Sequence, residues 1–538
     1  MLKENINRGF ITPLLIHIYL VSLIVVTFTG CGGSSVPAKE ETATTMTKTS
    51  LKRPVLHEEQ NKTVQTKRYI PKDPLFSEEW HLLNRQGADI NVTEVWKKYR
   101  GRGVKIAVVD TGIEAGHPDL KANIDLNHSF CYENNLTDPS PTQRELNDPF
   151  VDVTHGTAVS GIIAAAQNEI GVSGVAPEAT LVGLNVFSNP TDSVFEDALM
   201  RDGVDISSNS WGNELDLGLD DDRIVLDAIR SKMQRDPMIY VFASGNEHAN
   251  SDFSSVLNSR YTFAVGAVTR DGRIADYSNY GANLLTVAPG GSGVYGEPKI
   301  VTTDLTGARY GYDSYRQEHF ASPANKNFDY TDQMNGTSAA APIVSGVIAL
   351  MLEANPKLTY RDVRDIIIKT ATKTDPTHFS WQKNGAGISF SPYYGFGLIN
   401  AGKAVAMAKK YLPLGAEQFL ENEKNATIAI PDNDDQGIDL AFEIADEMIT
   451  EYAEVTIKTD HTYSGDLKIA LISPEGTKSQ LATGKTITDD MYLPWTFGSL
   501  HFYDEKSKGT WHLHIADIVP KNSGKLFYAK IKLYGHLK

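Results

Sequence analysis

The apolar residues of this chain follow three patterns. Between about residues 100 and 412 they come in continuous runs, and beyond 413 in short alternating segments separated by turns. The run 104–109 has the length and composition of a buried strand. The runs 158–166 and 343–352 are rich in alanine, valine, isoleucine and leucine and predict buried helices. The later segments, 453–458, 467–472, 511–515 and 527–534, alternate and predict an all-β region. At the N-terminus, Lys3 and Arg8 precede a mostly apolar stretch, 10–28, which ends in the small residues 29–35. A basic lead, an apolar core and a small-residue end make a secretory signal. The stretch is also near spanning length, so a membrane anchor is the alternative. Both readings carry the rest of the chain out of the cytoplasm. Residues 32 to about 70 are polar, rich in Ser, Thr, Lys and Glu, and predict a flexible tether.

Polar residues stand at the ends of the continuous runs. The first strand ends in Asp110-Thr111-Gly112. The first helical run is opened by His155-Gly156-Thr157. The second follows Asn335-Gly336-Thr337-Ser338-Ala339-Ala340-Ala341-Pro342, which puts Ser338 just before a helix N-terminus. Free backbone N–H groups point outward there and suit an oxyanion. A serine hydroxyl is a weak nucleophile until a base touches it. His155 is the candidate base. Asp110 is the candidate group that fixes the imidazole tautomer and stabilises the imidazolium.

The order Asp110, His155, Ser338 is that of subtilisin. The chain carries DTGIEAGHPDL (110–120), HGTAVSGIIAA (155–165), SWG (210–212), ASGN (243–246) and NGTSAAAPIVSG (335–346) in one succession. On these motifs it resembles the subtilisin family of serine proteases. Reading each motif as an ordinary turn requires five coincidences in sequence. The resemblance implies that Asn246 donates its side-chain amide to the oxyanion beside the Ser338 N–H. Such a donor is worth about 3–4 kcal/mol, a value known from the equivalent asparagine of subtilisin. It also implies that Ser210, Trp211 and Gly212 form the edge strand along which an extended peptide adds.

Residues 73–84, 352–363 and 393–402 resemble the kexin and proprotein-convertase branch. The phrases HTYSGDLKIALISPEGTKSQL (461–481), GTWHLHIAD (509–517) and GKLFYAKIKLYG (524–535) resemble the convertase P domain, a β-sandwich. The expected organisation is a signal over 1–30, a tether over 31–70, an α/β catalytic domain over 71–412 and a P domain over 413–538. The catalytic domain should hold a mainly parallel sheet flanked by helices. The alternative for the C-terminal part is a carbohydrate- or surface-binding module.

The resemblance also implies calcium. By position, the carbonyls of Ala166, Ile170 and Val172, the Asn168 side chain and the carboxylates of Asp119 and Asp73 would face the ion. Oxygen donors of this kind suit Ca²⁺. A second family site is less complete, with Asp252 present but Leu215 and Asn279 standing near expected acids. Convertases usually carry an acid after the catalytic aspartate, where this chain has Thr111. Leu215, Ser188 and Ser254 stand near the expected pocket acids. Glu214, Asp216, Asp220, Asp221 and Asp222 keep the following loop acidic, so cleavage after basic residues and a solvated acidic face are both open.

Composition narrows the partners. A net charge of −16 disfavours nucleic acid and favours cationic partners such as calcium and basic peptides. The two cysteines, Cys31 and Cys131, give no disulfide framework. Phe28-Thr29-Gly30-Cys31 resembles a bacterial lipobox, although Phe28 replaces the usual leucine. That resemblance implies lipidation of Cys31 and a membrane-anchored, exported protein of the cell envelope. The tether is too short and polar to be the folded propeptide of extracellular subtilisins. Maturation then either needs no such domain or uses a separate chaperone chain. Lys67-Arg68 suits either a processing site or a solvated tether. The competing functional class is a non-catalytic surface-binding lipoprotein on a protease scaffold, whose weakness is that a binding module has no use for an intact triad with Asn246.

Overall fold

The computed structural model describes residues 68–85, 87–215, 218–312, 325, 328–484 and 492–538. Cys31 lies outside these residues.

The catalytic half is built on seven strands: β1 (Lys105–Asp110), β2 (Phe130–Cys131), β3 (Thr180–Asn185), β4 (Ile206–Asn209), β5 (Ile239–Ala243), β6 (Thr262–Val268) and β7 (Leu284–Pro289). Their order is β2-β3-β1-β4-β5-β6-β7, and every pairing is parallel. A parallel sheet is covered on both faces, so its strands read as unbroken apolar runs rather than alternations. Strand β1 shows how. Ile106 and Val108 point into one core cluster, Ala107 and Val109 into the other.

One cluster lies under α1 (His155–Ala164), α4 (Thr337–Ala354), α5 (Tyr360–Thr370) and α6 (Ala401–Ala408). The other lies under α2 (Asp192–Leu199) and α3 (Arg223–Arg235). Helix α4 is buried without a break from Ala339 to Leu352, as an all-apolar helix must be. It begins earlier than its apolar run suggests, so Ser338 sits inside the first turn rather than before it. Gly336 makes this start work. It caps the helix at φ +102°, a conformation that suits glycine.

The strand order reverses at the middle of the sheet. Strand β1 has β3 on one side and β4 on the other. In open parallel sheets, sites gather at the carboxyl ends of strands near such a reversal. Asp110 ends β1, Ser210 follows β4 and Asn246 follows β5.

The segment after β7 packs in part against α1. Strands β8 (Ile300–Thr303) and β9 (Tyr330–Met334) pair antiparallel. The Thr302 and Thr303 hydroxyls donate to the α1 carbonyls of Ala158 and Thr157. A small hairpin, β10 (Gln382–Lys383) and β11 (Ser389–Phe390), follows α5.

The C-terminal part is all β. Its strands are β12 (Glu417–Ile430), β13 (Asp434–Ile444), β14 (Ile449–Thr459), β15 (Leu467–Ile472), β16 (Lys478–Thr483), β17 (Trp495–Ser499), β18 (Gly509–Asp517) and β19 (Gly524–His536). They form two four-stranded antiparallel sheets, β12-β19-β14-β17 and β13-β18-β15-β16. Phe442, Leu471, Leu513 and Ile515 from one sheet meet Val455, Ile457, Ile531 and Leu533 from the other in one buried cluster. The two parts of the protein share an interface. Trp495 Nε1 donates to the Asp252 carbonyl (3.2 Å), Tyr452 to the Asn258 carbonyl (3.0 Å) and Tyr503 to Asp365 (2.7 Å). Buried Glu451 accepts from Arg361 Nε at 2.9 Å and lies 2.7 Å from His536 Nδ1.

Candidate active site

Asp110 and His155 meet because two chain ends are packed tightly together. Helix α1 starts at His155, and the next residue, Gly156, lies against Thr111. A Cβ on Gly156 would come within 2.1 Å of the Thr111 carbonyl oxygen. The Gly156 N–H donates to Thr111 Oγ1 at 2.8 Å. Thr111 is buried and uses its own N–H on Asp110 Oδ1 at 2.7 Å. It is therefore a structural clasp, and carries no charge beside Asp110. With the ends clasped, His155 Nδ1 lies 2.7 Å from Asp110 Oδ1. Burial disfavours the charged ring, but the charges of Asp110 and Asp152 and the hydrogen bond to Asp110 outweigh it. They raise the His155 pKa to about 9.

Ser338 is set by the β4 end and by a proline. Pro342 has no N–H to give the Ser338 carbonyl four residues back. The Ser210 hydroxyl supplies that donor at 3.0 Å. In return, Ser338 Oγ donates to the Ser210 carbonyl at 3.1 Å. Ser338 and His155 are not hydrogen-bonded to each other among the described residues. Such contacts are often loose in an enzyme without substrate.

Asn246 is held by the residue before the serine. Its Oδ1 accepts from the Thr337 N–H (2.8 Å) and the Thr337 hydroxyl (2.9 Å). That fixes the amide by its oxygen and leaves Nδ2 as the free donor. Gly336 packs closely here, since a Cβ on it would come within 3.3 Å of Asn246 Oδ1.

Two family models match the chain: the subtilase family over residues 101–397, and the proprotein convertase P-domain over residues 450–533. The chain belongs to the subtilase family. This subtilase is 31% identical over 545 residues to the extracellular serine protease of Aeromonas sobria, covering 84% of this chain and 86% of that one. It is 33% identical over 509 residues to human proprotein convertase subtilisin/kexin type 6, covering 86% of this chain but 48% of the relative. The crystal structure of the Aeromonas sobria protease in complex with the chaperone ORF2 superposes with a TM-score of 0.81. It is 28% identical and covers 88% of this chain and 96% of that one. The protein is thus a subtilisin-like serine protease with a P domain.

The loop after α1 brings the other expected residues of the subtilase together. Asp119 Oδ2 accepts from the Val172 N–H at 3.0 Å, while its Oδ1 is buried with no partner among the described residues. Asp73 Oδ1 accepts from the N–H groups of Asn168 and Glu169, both at 3.0 Å, and Oδ2 from the Ser173 hydroxyl at 2.8 Å. Asn168 Oδ1 accepts from the Ile170 N–H at 3.0 Å. Among the described residues, the carbonyls of Ala166, Ile170 and Val172 accept no backbone hydrogen bond. A further carboxylate lies here, that of fully buried Glu79, which accepts from the Ser173 N–H at 2.9 Å. Burial pushes Asp119 up to about 7 and holds Asp73 and Glu79 above the ordinary carboxylate range. An orphaned buried carboxylate oxygen among free carbonyls is a donor set that fits a hard divalent cation.

The residues near the expected specificity pocket behave differently from one another. Ser210 is buried, Trp211 and Glu214 are half-buried, and Gly212 is exposed. Asp216 lies outside the described residues. Leu215 is buried in the cluster that includes Phe195, Val225 and Phe242. Asn279 is buried and bonds the backbone around Asn246: its Oδ1 accepts from the N–H groups of Glu247 (3.0 Å) and Ala249 (2.7 Å). Asp252 is fully buried and accepts from the N–H groups of Ala282 and Asn283. Asp220 accepts from Asn213 Nδ2 at 2.8 Å and from the Ser254 hydroxyl at 3.2 Å. No cation pairs with it among the described residues, and burial raises its pKa.

Four residues of this site escaped sequence reasoning. Asp152 touches Thr154 and the Tyr312 hydroxyl (2.8 Å) and charges the His155 environment. Its sequence signal is an acid three positions before the histidine. Thr337 had a signal in its place beside Ser338. Glu79 and Tyr312 had none, because each reaches its partner across more than ninety residues.

Proposed function

We propose that this protein is an exported, calcium-dependent serine endopeptidase that cleaves polypeptides after basic residues. The observation that carries the catalytic part is the 2.7 Å bond between His155 Nδ1 and Asp110. That bond requires a proton on Nδ1, so the neutral ring presents its Nε2 lone pair to a proton donor. Ser338 Oγ turns from the Ser210 carbonyl, gives its proton to His155 Nε2 and attacks the scissile carbonyl carbon. The carbonyl oxygen gains the negative charge and accepts from Asn246 Nδ2 and the Ser338 N–H. His155 then gives its proton to the leaving amine, whose C–N bond breaks, and Ser338 is left acylated. Water, deprotonated by the same ring, releases the acid. The Ser210–Gly212 edge binds the extended substrate by main-chain hydrogen bonds.

Asp73, Asp119, Asn168 and the carbonyls of Ala166, Ile170 and Val172 would hold calcium, which would supply positive charge to a cluster of buried carboxylates. Its part is structural, binding the folded loop and not the unfolded chain. Basic-residue preference is supported by Asp220. Its half-buried carboxylate has only neutral donors among the described residues, follows the substrate-pairing edge and touches Ser254. A buried guanidinium needs such a partner, because an unpaired one costs several kcal/mol. Cys31 carries a lipid that anchors the protein to the cell envelope, and a separate chaperone assists maturation, as the Aeromonas complex suggests by analogy. An unmodified Cys31 in mass spectra of the mature N-terminus would refute the anchor.

The decisive experiment is cleavage of a peptide library by the full chain with calcium, beside Asp220→Asn. Cleavage after Arg and Lys should dominate, and Asp220→Asn should lose far more activity on an Arg peptide than on a Leu peptide. Equal losses, or a wild-type preference for apolar residues, would leave a broad-specificity protease.

A further inference from the structure

A cluster in the β-sandwich, apart from the catalytic half, has the donors of a metal site. His461 follows β14, Asp466 closes the short turn Ser464–Asp466, and Asp517 ends β18. One donor atom from each lies within 4.8 Å of the other two, and all three residues are buried.

The remaining atoms of these side chains are tied down. His461 Nδ1 lies 2.9 Å from the Tyr463 carbonyl oxygen and 3.3 Å from the Tyr463 nitrogen. A proton on Nδ1 serves the first contact and leaves a lone pair on Nε2, whereas a lone pair on Nδ1 accepts from the Tyr463 N–H and puts the ring proton on Nε2. Yet Nε2 lies 3.1 Å from Asp517 Oδ2. Two lone pairs at that distance repel, so either a ring proton on Nε2 or a metal ion lies between them. The other oxygen of Asp517, Oδ1, accepts from the Val519 N–H at 3.1 Å. Asp466 Oδ2 accepts from Asn522 Nδ2 at 2.9 Å. Outer contacts of this kind orient metal ligands.

Charge decides between the two species. A ring proton on Nε2 leaves at least one net negative charge on the two carboxylates of this buried cluster. No Lys or Arg pairs with Asp466 or Asp517 among the described residues. A neutral ring with a divalent cation leaves none, which a dry interior favours. The hydroxyl of Ser464, in the same turn, is also buried without a partner among the described residues.

We propose that His461 Nε2 and one carboxylate oxygen each of Asp466 and Asp517 bind a divalent transition metal ion, zinc by its donor preference. An imidazole with carboxylates suits zinc, whereas calcium takes oxygen donors. The ion pins the turn before β15 to the end of β18 and so closes one end of the sandwich.

The test uses the full chain, stripped of metal and returned to excess calcium so that the catalytic half is satisfied. Zinc is then titrated, and bound zinc and melting temperature are read. The wild type should bind about one zinc more per chain than His461→Asn or Asp517→Asn, and only the wild type should gain a few degrees on zinc addition. No zinc bound by the wild type, or undiminished binding by both variants, overturns the site. Peptide hydrolysis by the variants reports whether they fold. If they do not, cobalt(II) replaces zinc in the wild type. A visible absorption band from nitrogen and oxygen ligation supports the site, and its absence overturns it.

Discussion

The charges around His155 set opposite pH trends for activity and for stability. Burial works against the charged ring, but Asp110 and Asp152 raise its pKa from an ordinary 6.5 to about 9. At about 1.36 kcal/mol per unit, that favours the imidazolium by about 3 kcal/mol. Only the neutral ring can take the Ser338 proton, so kcat/KM should rise about tenfold per pH unit and level off near pH 9. The folding contribution has the other sign. A group whose folded pKa is raised stabilises fully below its unfolded pKa and loses that contribution as pH rises through the folded value. The pair should therefore stabilise the protein below pH 6.5 and lose that contribution by about pH 9, where hydrolysis is fastest. Asp152→Asn isolates one of the charges. It keeps an oxygen for the Thr154 contacts and removes a negative charge without touching the 2.7 Å bond to Asp110. The limb of its profile should move toward acid, by less than the whole shift, because Asp110 remains. The assay is kcat/KM for a short peptide from pH 5 to 10, with calcium in excess and ionic strength fixed. A wild-type limb near 6.5, or an Asp152→Asn limb that does not move, would refute the electrostatic reasoning.

Three other outcomes follow from named contacts. Asn246→Ala should lower kcat on the order of a hundredfold or more with little change in KM, because the donor serves the transition state; an effect confined to KM would place the oxyanion elsewhere. Calcium should raise the melting temperature of the wild type, and Asp119→Ala should remove most of that rise; a wild-type melting temperature indifferent to excess chelator would count against the site. Glu451→Ala should destabilise the protein by about 3–5 kcal/mol in denaturant unfolding, because it leaves the buried Arg364 without its carboxylate and Arg361 with only the longer contact to Glu417; an unchanged midpoint would show that the interface does not depend on that ion pair.

Much of this arrangement can be read from the chain, and the unreadable parts have physical reasons. The run at 104–109 announces β1 because a strand covered on both faces must be apolar throughout. Helix α4 is legible as apolar, but its start is not, since Gly336 and the missing Pro342 N–H act through Asn246 and Ser210, far away in sequence. Strands β12 and β13 carry many exposed polar residues and leave no alternating apolar signal. Strands β14, β18 and β19 are legible but longer than their apolar segments, because ladder pairing continues past the buried positions. At the site, Asp110, His155, Ser338 and Asn246 stand in short motifs. The charge of Asp152, the clasp of Thr111 and the partners of the half-buried Asp220 depend on which elements the sheet brings together.

The most direct test of the account is labelling of the full chain with a serine-directed fluorophosphonate, followed by peptide mapping and a hydrolysis assay of Ser338→Ala. The account predicts a single adduct on Ser338 in the wild type, with neither adduct nor appreciable turnover in Ser338→Ala. Peptide hydrolysis by Ser338→Ala at near wild-type rate, or an adduct on another residue, would contradict it.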